Sequence, residues 1–222
     1  MSKLKKNLIV AAVMMAAFAV ALGSFLLFKP EAQDSGGLNV QPAAEAVPVR
    51  GDSHRLTTPK RSELTIVEFL DFECEGCGAA YPVVEKLREE YGDRVTFVAR
   101  YFPMPGHKNG ELAARTAEAA AQQGRFEEMY AKLFSTQKEW GEAQGSKESV
   151  FRGYAQQIGL DMRKFDAALA DPKTAERVKA DQRDGLALGV QGTPTFLVDG
   201  VKISTPQSYE AFKAFIDARL AG

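Results

Sequence analysis

Cysteine is scarce in this chain of 222 residues: it has only two, Cys74 and Cys77. A small secreted domain stapled by disulfides carries several widely spaced cysteines, so a disulfide framework is excluded. A structural zinc site takes about four ligands, and the two histidines, His54 and His107, do not lie at finger-like spacing. No metal and no cofactor are therefore expected. Charge of one sign is not in excess either: 28 Lys and Arg face 29 Asp and Glu, a net charge of −1. Nucleic-acid binding needs a basic surface that displaces counterions, and this composition makes no case for it. Internal repeats and long low-complexity tracts are also missing. What remains is one close Cys pair in a chain of ordinary globular balance, 45% hydrophobic and 26% charged.

One long uncharged run stands out, Asn7 to Phe28, preceded by Lys3, Lys5 and Lys6 and followed by Lys29-Pro30. At 1.5 Å of rise per residue it spans about 33 Å as a helix, close to the ~30 Å hydrocarbon core of a bilayer. The lysines ahead of it favour a cytoplasmic tail at 1–6 and a transmembrane anchor at 7–28. A cleaved signal peptide is the alternative, since Ala19-Val20-Ala21 offers small residues at cleavage spacing. The apolar Phe25-Leu26-Leu27-Phe28 continues past that point and favours the anchor. Both readings place the rest of the chain outside the cytoplasm. Residues 29–54, rich in Ala, Pro, Gly, Gln and acids, read as a flexible linker.

The folded part is expected over 55–222. Leu64 to Phe72 is an apolar run suited to a buried central strand. Cys77, Tyr81, Val84, Leu87 and Tyr91 then recur at helical spacing up to Gly92, with Pro82 expected to kink the helix. Val95 to Tyr101 reads as a second strand, which completes a βαβ unit. A helical block follows at about 106–189. Its expected starts are Asn109, Ser146, Asp161 and Asp171-Pro172, and one apolar stripe runs through Phe126, Met129, Tyr130, Leu133 and Phe134. Thr195–Val198 and Val201–Ile203 flank Asp199-Gly200, a strong hairpin signal. A last helix is expected from Thr205-Pro206. The order βαβ, helices, ββα describes an α/β domain with a helical insertion.

Cys74 falls at the first turn of the helix after the buried strand, where unpaired N–H groups and the helix dipole stabilise a thiolate. Cys77, one turn on, is within reach to form a disulfide. A substrate thiolate can attack the Cys74 sulfur, and a second substrate thiol then releases an oxidised substrate and the reduced pair. Glu68 interrupts the apolar strand six residues before Cys74. A buried carboxylate is costly unless paired or protonated. Glu68 either finds a basic partner or solvent, or it stays protonated beside the buried sulfur and shuttles the Cys77 proton.

The stretch Ile66-Val67-Glu68-Phe69-Leu70-Asp71-Phe72-Glu73-Cys74-Glu75-Gly76-Cys77 resembles the start of DsbA-like proteins, the thioredoxin-fold disulfide oxidoreductases of bacterial envelopes. Phe102-Pro103, His107, Gln123-Gly124-Arg125-Phe126 with Leu133-Phe134, and Gly192-Thr193-Pro194-Thr195-Phe196 extend the resemblance over about Asp52 to Leu220. It implies a thioredoxin-like fold with an inserted helical subdomain. It also implies that Cys74 is the exposed nucleophile, Cys77 its buried partner and Glu68 the buried acid. Pro194 matches a cis-proline beside the disulfide, and Thr193 the residue whose backbone pairs with substrate. Pro82 matches the kinking proline of the active-site helix. His107 matches a recurring position to which no catalytic role is assigned. The chain departs from the pattern between the cysteines: strongly oxidising relatives have Pro-His where this chain has Glu75-Gly76. An acid beside Cys74 opposes the thiolate and Gly76 loosens the helix start, so both are expected to tune the redox equilibrium toward weaker oxidation.

The resemblance implies an oxidase that donates its disulfide to exported thiol-containing proteins and is reoxidised by a membrane redox partner. A reductase or isomerase on the same scaffold is the alternative, which Thr193 does not decide. A peptide-binding chaperone is the reading from another class. No separate dimerisation segment is seen, which points to a monomer.

Overall fold

The computed structural model describes residues 46–222. The expected tail 1–6, anchor 7–28 and most of the linker lie outside the described residues. No helix among the described residues is long and apolar enough to cross a membrane.

The centre is a five-stranded sheet of β1 (His54–Arg55), β2 (Leu64–Leu70), β3 (Val95–Tyr101), β4 (Thr195–Val198) and β5 (Val201–Lys202), in the order β1-β3-β2-β4-β5. β2 and β3 run parallel with Leu64 opposite Val95 and Leu70 opposite Tyr101, and the other pairs are antiparallel. The parallel pair requires a crossover, which is α1 (Glu75–Tyr91), running as one element through Pro82. Asp199 and Gly200 both take positive φ, 46° and 81°. That is the backbone a two-residue hairpin turn demands, and it joins β4 to β5.

Alternation along β2 and β3 sorts the core into two layers. Leu64, Ile66 and Leu70 with Val95, Phe97, Ala99 and Tyr101 join the larger cluster, which also holds Cys77 and the helical insertion. Val67, Phe69, Val98 and Phe102 belong to a second, smaller cluster with Val190 and Leu197. Glu68 has the parity of Ile66 and Leu70, so it faces the side of Cys77.

Between β3 and β4 lie six helices: α2 (Gly110–Ala121), α3 (Phe126–Ser135), α4 (Gln137–Trp140), α5 (Glu148–Gln157), α6 (Met162–Ala170) and α7 (Pro172–Ala187). Asp161 and Asp171 cap α6 and α7 through their side chains, and Pro172 occupies the first turn of α7 where its missing N–H costs nothing. Asn109 sits at the start of α2 as expected but caps nothing. Its side chain instead holds the loop at Ala143, Gly145 and Lys147. The third expected helix starts at Glu148, two residues after Ser146. The last helix, α8 (Tyr209–Leu220), starts later than Thr205-Pro206, because Ser208 supplies the cap by accepting the Ala211 N–H. β2 ends at Leu70 rather than Phe72, since Asp71 begins the turn toward α1.

The expected linker at 29–54 overlaps the described region at 46–54, and there it is a fixed strap. Arg100 is fully buried on the smaller-cluster face of β3 and must find acceptors. It donates to the carbonyls of Val47 and Pro48, to Asp181 at 2.6 Å and to Asp184 at 2.7 Å. Arg50 joins Asp184 at 2.8 Å. The strap thus crosses the sheet before adding β1 to its edge, and the folded domain begins several residues before 55.

Candidate active site

The β2–α1 turn carries the two cysteines. Cys74 occupies the N-cap of α1 with φ −72° and ψ 122°, just outside the helix, and its side chain makes no capping bond. Its sulfur is therefore free to meet the first N–H groups of the helix. Cys74 is partly exposed, whereas Cys77 is fully buried and accepts the Asp71 N–H at 3.5 Å. Opposite them, the Thr193–Pro194 peptide bond is cis. The Cys74 thiol donates to the Thr193 carbonyl at 3.2 Å. Gly76 explains why that loop comes so close: a Cβ there would stand 3.2 Å from Pro194 Cδ and 3.5 Å from the Cys74 sulfur.

The two sulfurs differ sharply in acidity. Hydrogen bonding from the Cys77 thiol is the main cause that brings Cys74 down to about 5. Burial works against this, while Thr193 and the N–H groups of Cys77 and Gly76 add to it. As a thiolate, Cys74 gives up its bond to the Thr193 carbonyl and becomes an acceptor; the Thr193 hydroxyl, buried and without a partner among the described residues, is available to it. Burial pushes the Cys77 thiol well up, and the bond to Cys74 and the nearby Glu68 add to the rise. The acidity of the pair is thus split: Cys74 is disposed to ionise and Cys77 to keep its proton.

Among the described residues Glu68 has no basic partner, and it is nearly removed from solvent. It is 5% exposed, and its Oε1 has no hydrogen-bond partner among the described residues. Burial is the main cause that raises it to about 8, with Glu85 and Cys74 adding negative charge. A carboxylic acid that keeps its proton at neutral pH beside a buried thiol has the form of a proton donor and acceptor.

Glu75 lies at the exposed rim beside Glu142, and interaction between the two carboxyls lowers Glu75 and raises Glu142. Several further residues escaped the sequence reading. Asp71 is buried and accepts from the backbone N–H of Glu73 and Met104 and from His107 Nδ1 at 2.5 Å. Partial burial opposes protonation of His107, but the Asp71 carboxylate outweighs it and raises His107 overall. Glu73 is buried as well and accepts the Asn109 N–H at 2.6 Å. These two acids tie the cysteine turn to the loop that enters α2. Their signal was the placement of Asp71 and Glu73 around Phe72, polar residues where a strand core should be apolar. Gln137 of α4 donates to the carbonyls of Phe72 and Cys74, both at 2.8 Å. Nothing local in the sequence marks it.

Beside the cysteines an apolar groove of about 260 Å³ opens between α1 and the β5–α8 connection. Gly76, Ala80, Val83, Pro194, Phe196 and Phe212 line it. No group of side chains suited to a metal ion occurs among the described residues.

A fold of this topology with two cysteines at a helix N-terminus facing a cis-proline loop defines a thioredoxin-type protein. A family model described as Thioredoxin matches residues 59–218, and the chain belongs to that family. Its structure is similar to Wolbachia pipientis alpha-DsbA1 (20% identity, TM-score 0.69, 78% of this chain and 93% of that one). It is also similar to BdbD from Bacillus subtilis (22%, TM-score 0.66, 77% and 94%) and to a thioredoxin-like oxidoreductase from Silicibacter pomeroyi DSS-3 (24%, TM-score 0.66, 81% and 98%). Among curated proteins, the Na(+)/H(+) antiporter NhaA of Herminiimonas arsenicoxydans is 34% identical over 206 residues, 92% of this chain. The match covers 32% of that protein. The chain therefore spans about a third of the length of that curated relative, whose name describes a much longer protein.

Proposed function

We propose that the chain is an extracytoplasmic thiol–disulfide oxidoreductase that acts as an oxidase, passing the Cys74–Cys77 disulfide to exported thiol-containing proteins. The observation that carries this reading is the acidity gap across the pair, with Cys74 brought to about 5 and Cys77 held well above its ordinary value. A stable Cys74 thiolate favours the reduced form and makes the disulfide the stronger oxidant. In the forward reaction a substrate thiolate attacks Cys74 and forms a mixed disulfide. The electron pair of the broken Cys74–Cys77 bond leaves on Cys77, which takes up one proton; the burial and raised pKa of Glu68 support it as the donor. A second substrate thiolate attacks the substrate sulfur and expels Cys74 as its stable thiolate. The substrate is oxidised by two electrons and the pair reduced by two. The Thr193 backbone and the apolar groove beside it suit an extended, apolar segment around the substrate cysteine.

Return to the disulfide requires an oxidant. The resemblance to DsbA-like proteins supports a membrane redox partner, and the run at 7–28 supports a single-pass anchor that keeps the domain beside it. The domain acts as a monomer. Ion antiport is not carried over from the longer relatives.

Cys77→Ala provides the test. Without the resolving thiol, mixed disulfides through Cys74 should accumulate in cells and be released by reductant. If no adduct forms while the variant remains folded, the exchange reading fails. A cellular pair found mostly as dithiol, with exchange intact, would instead make the chain a reductase.

A further inference from the structure

We propose that Gln137 is a positioning residue for the nucleophile: from the helical insertion its amide clamps the Phe72 and Cys74 carbonyls, and so sets the acidity of Cys74. This rests on the thiol–disulfide reading above and adds to it a residue outside the thioredoxin core.

The geometry is specific. Gln137 is 8% exposed, and its Nε2 donates to both carbonyls at 2.8 Å. Those carbonyls bracket the turn from β2 into α1. Phe72 is itself buried, so its carbonyl has no solvent to replace a lost donor. The Cys74 carbonyl also accepts the Gly78 N–H at 3.0 Å, the bond that opens α1. The clamp therefore ends on the backbone that aims the Cys74 sulfur at Thr193 and at the N–H groups of Gly76 and Cys77.

Space for the amide comes from a second residue. A Cβ at Gly78 would lie 2.1 Å from Gln137 Oε1, so any side chain there forces the amide to shift. Glycine inside a helix costs about 1 kcal/mol relative to alanine, and here the close approach accounts for it. The base of the clamp is rigid: Trp140, on the same short helix, is fully buried, donates to the Leu133 carbonyl at 3.2 Å and packs edge-on against Phe151 at 4.8 Å. Space filling alone calls for an apolar side chain at 137, not an amide with both protons committed to the cysteine turn.

Two effects on Cys74 share one sign. The amide protons offset the negative end of the Cys74 carbonyl, which otherwise disfavours a thiolate on the same residue. They also hold the N-cap backbone in the conformation that gives the sulfur its N–H donors. Loss of the amide raises the Cys74 pKa and weakens the disulfide as an oxidant.

The test compares wild type, Gln137→Met and Gly78→Ala as purified proteins. Thiolate absorbance gives the Cys74 titration, equilibration with glutathione gives the redox constant, and urea unfolding is measured in both redox forms. The expected result for Gln137→Met is an upward shift of about one pH unit, a roughly threefold loss of thiolate midway between the two midpoints that approaches tenfold well below both. The redox constant should move toward the disulfide, and the reduced form should lose more stability than the oxidised form. Gly78→Ala leaves Gln137 in place yet should shift Cys74 the same way, and the double variant should shift no further than either alone. A purely structural glutamine lowers both redox forms equally and leaves titration and redox constant unchanged; that outcome overturns the proposal. Should Gln137→Met not fold, Gly78→Ala decides by the same two readouts. Wild type that fails to equilibrate with glutathione at all would instead overturn the oxidoreductase reading.

Discussion

Replacing Glu68 with glutamine should make stability nearly independent of pH where the wild type loses it. Glu68 is buried, one oxygen is unpaired, and its pKa rises from 4.5 to about 8. The folded protein thus holds this proton more tightly than the unfolded chain does. Below pH 4.5 the group is protonated in both states and carries no penalty. Between 4.5 and about 8 the unfolded chain ionises while the folded protein does not, so stability falls as pH rises and levels off above the folded pKa. At 1.36 kcal/mol per unit, the shift from 4.5 to about 8 amounts to roughly 5 kcal/mol. The disulfide form is the one to use, because Cys74 then does not titrate; Glu68 loses the Cys74 charge there but keeps burial, the main cause of its rise, whereas in the dithiol form the lowered Cys74 pKa makes stability rise between about 5 and 9 and masks the trend. Urea unfolding of the oxidised protein at intervals from pH 5 to pH 9 measures the slope. Wild type should lose several kcal/mol across this window, and Glu68→Gln should lose far less. Parallel curves for the two proteins would mean that Glu68 titrates normally, and the proton-shuttle role would go with it.

Three other substitutions probe separate parts of the molecule. Glu75→Gln should make the disulfide a somewhat stronger oxidant, by less than tenfold in the glutathione equilibrium because the site is solvent-screened; an unchanged or weaker oxidant refutes a tuning role for Glu75. Gly76→Ala should slow exchange several-fold, since the new methyl meets Pro194 Cδ at 3.2 Å; a rate equal to wild type would show that the loop gives way freely. Arg100→Met should cost about 3–5 kcal/mol in urea unfolding by leaving Asp181 and Asp184 short of a buried partner, while the folded variant exchanges thiols at the wild-type rate; loss of exchange in a folded variant would contradict its placement on the face away from the cysteines.

The sequence by itself determined most of the elements and singled out the cysteine pair. Period-two and period-3.6 patterns are local, so β2, α1, β3 and the stripe on α3 could be read from neighbouring residues. Cys74 at a helix start, Glu68 in an apolar strand and Asp199-Gly200 between short strands were legible for the same reason: each breaks or punctuates a local pattern. The caps of the helices that begin at 148 and 209 were misplaced by one and three residues, because several polar residues compete to cap and only packing chooses among them. Tertiary structure alone decided what surrounds the sulfurs. Gln137 meets Phe72 and Cys74, Arg100 meets Asp181 and the strap at 47–48, and Asp71 meets His107 across distances in sequence that no periodicity encodes. Buried polar groups must find partners wherever the fold brings one, and that pairing is settled only when the helical insertion and the strap close over the sheet.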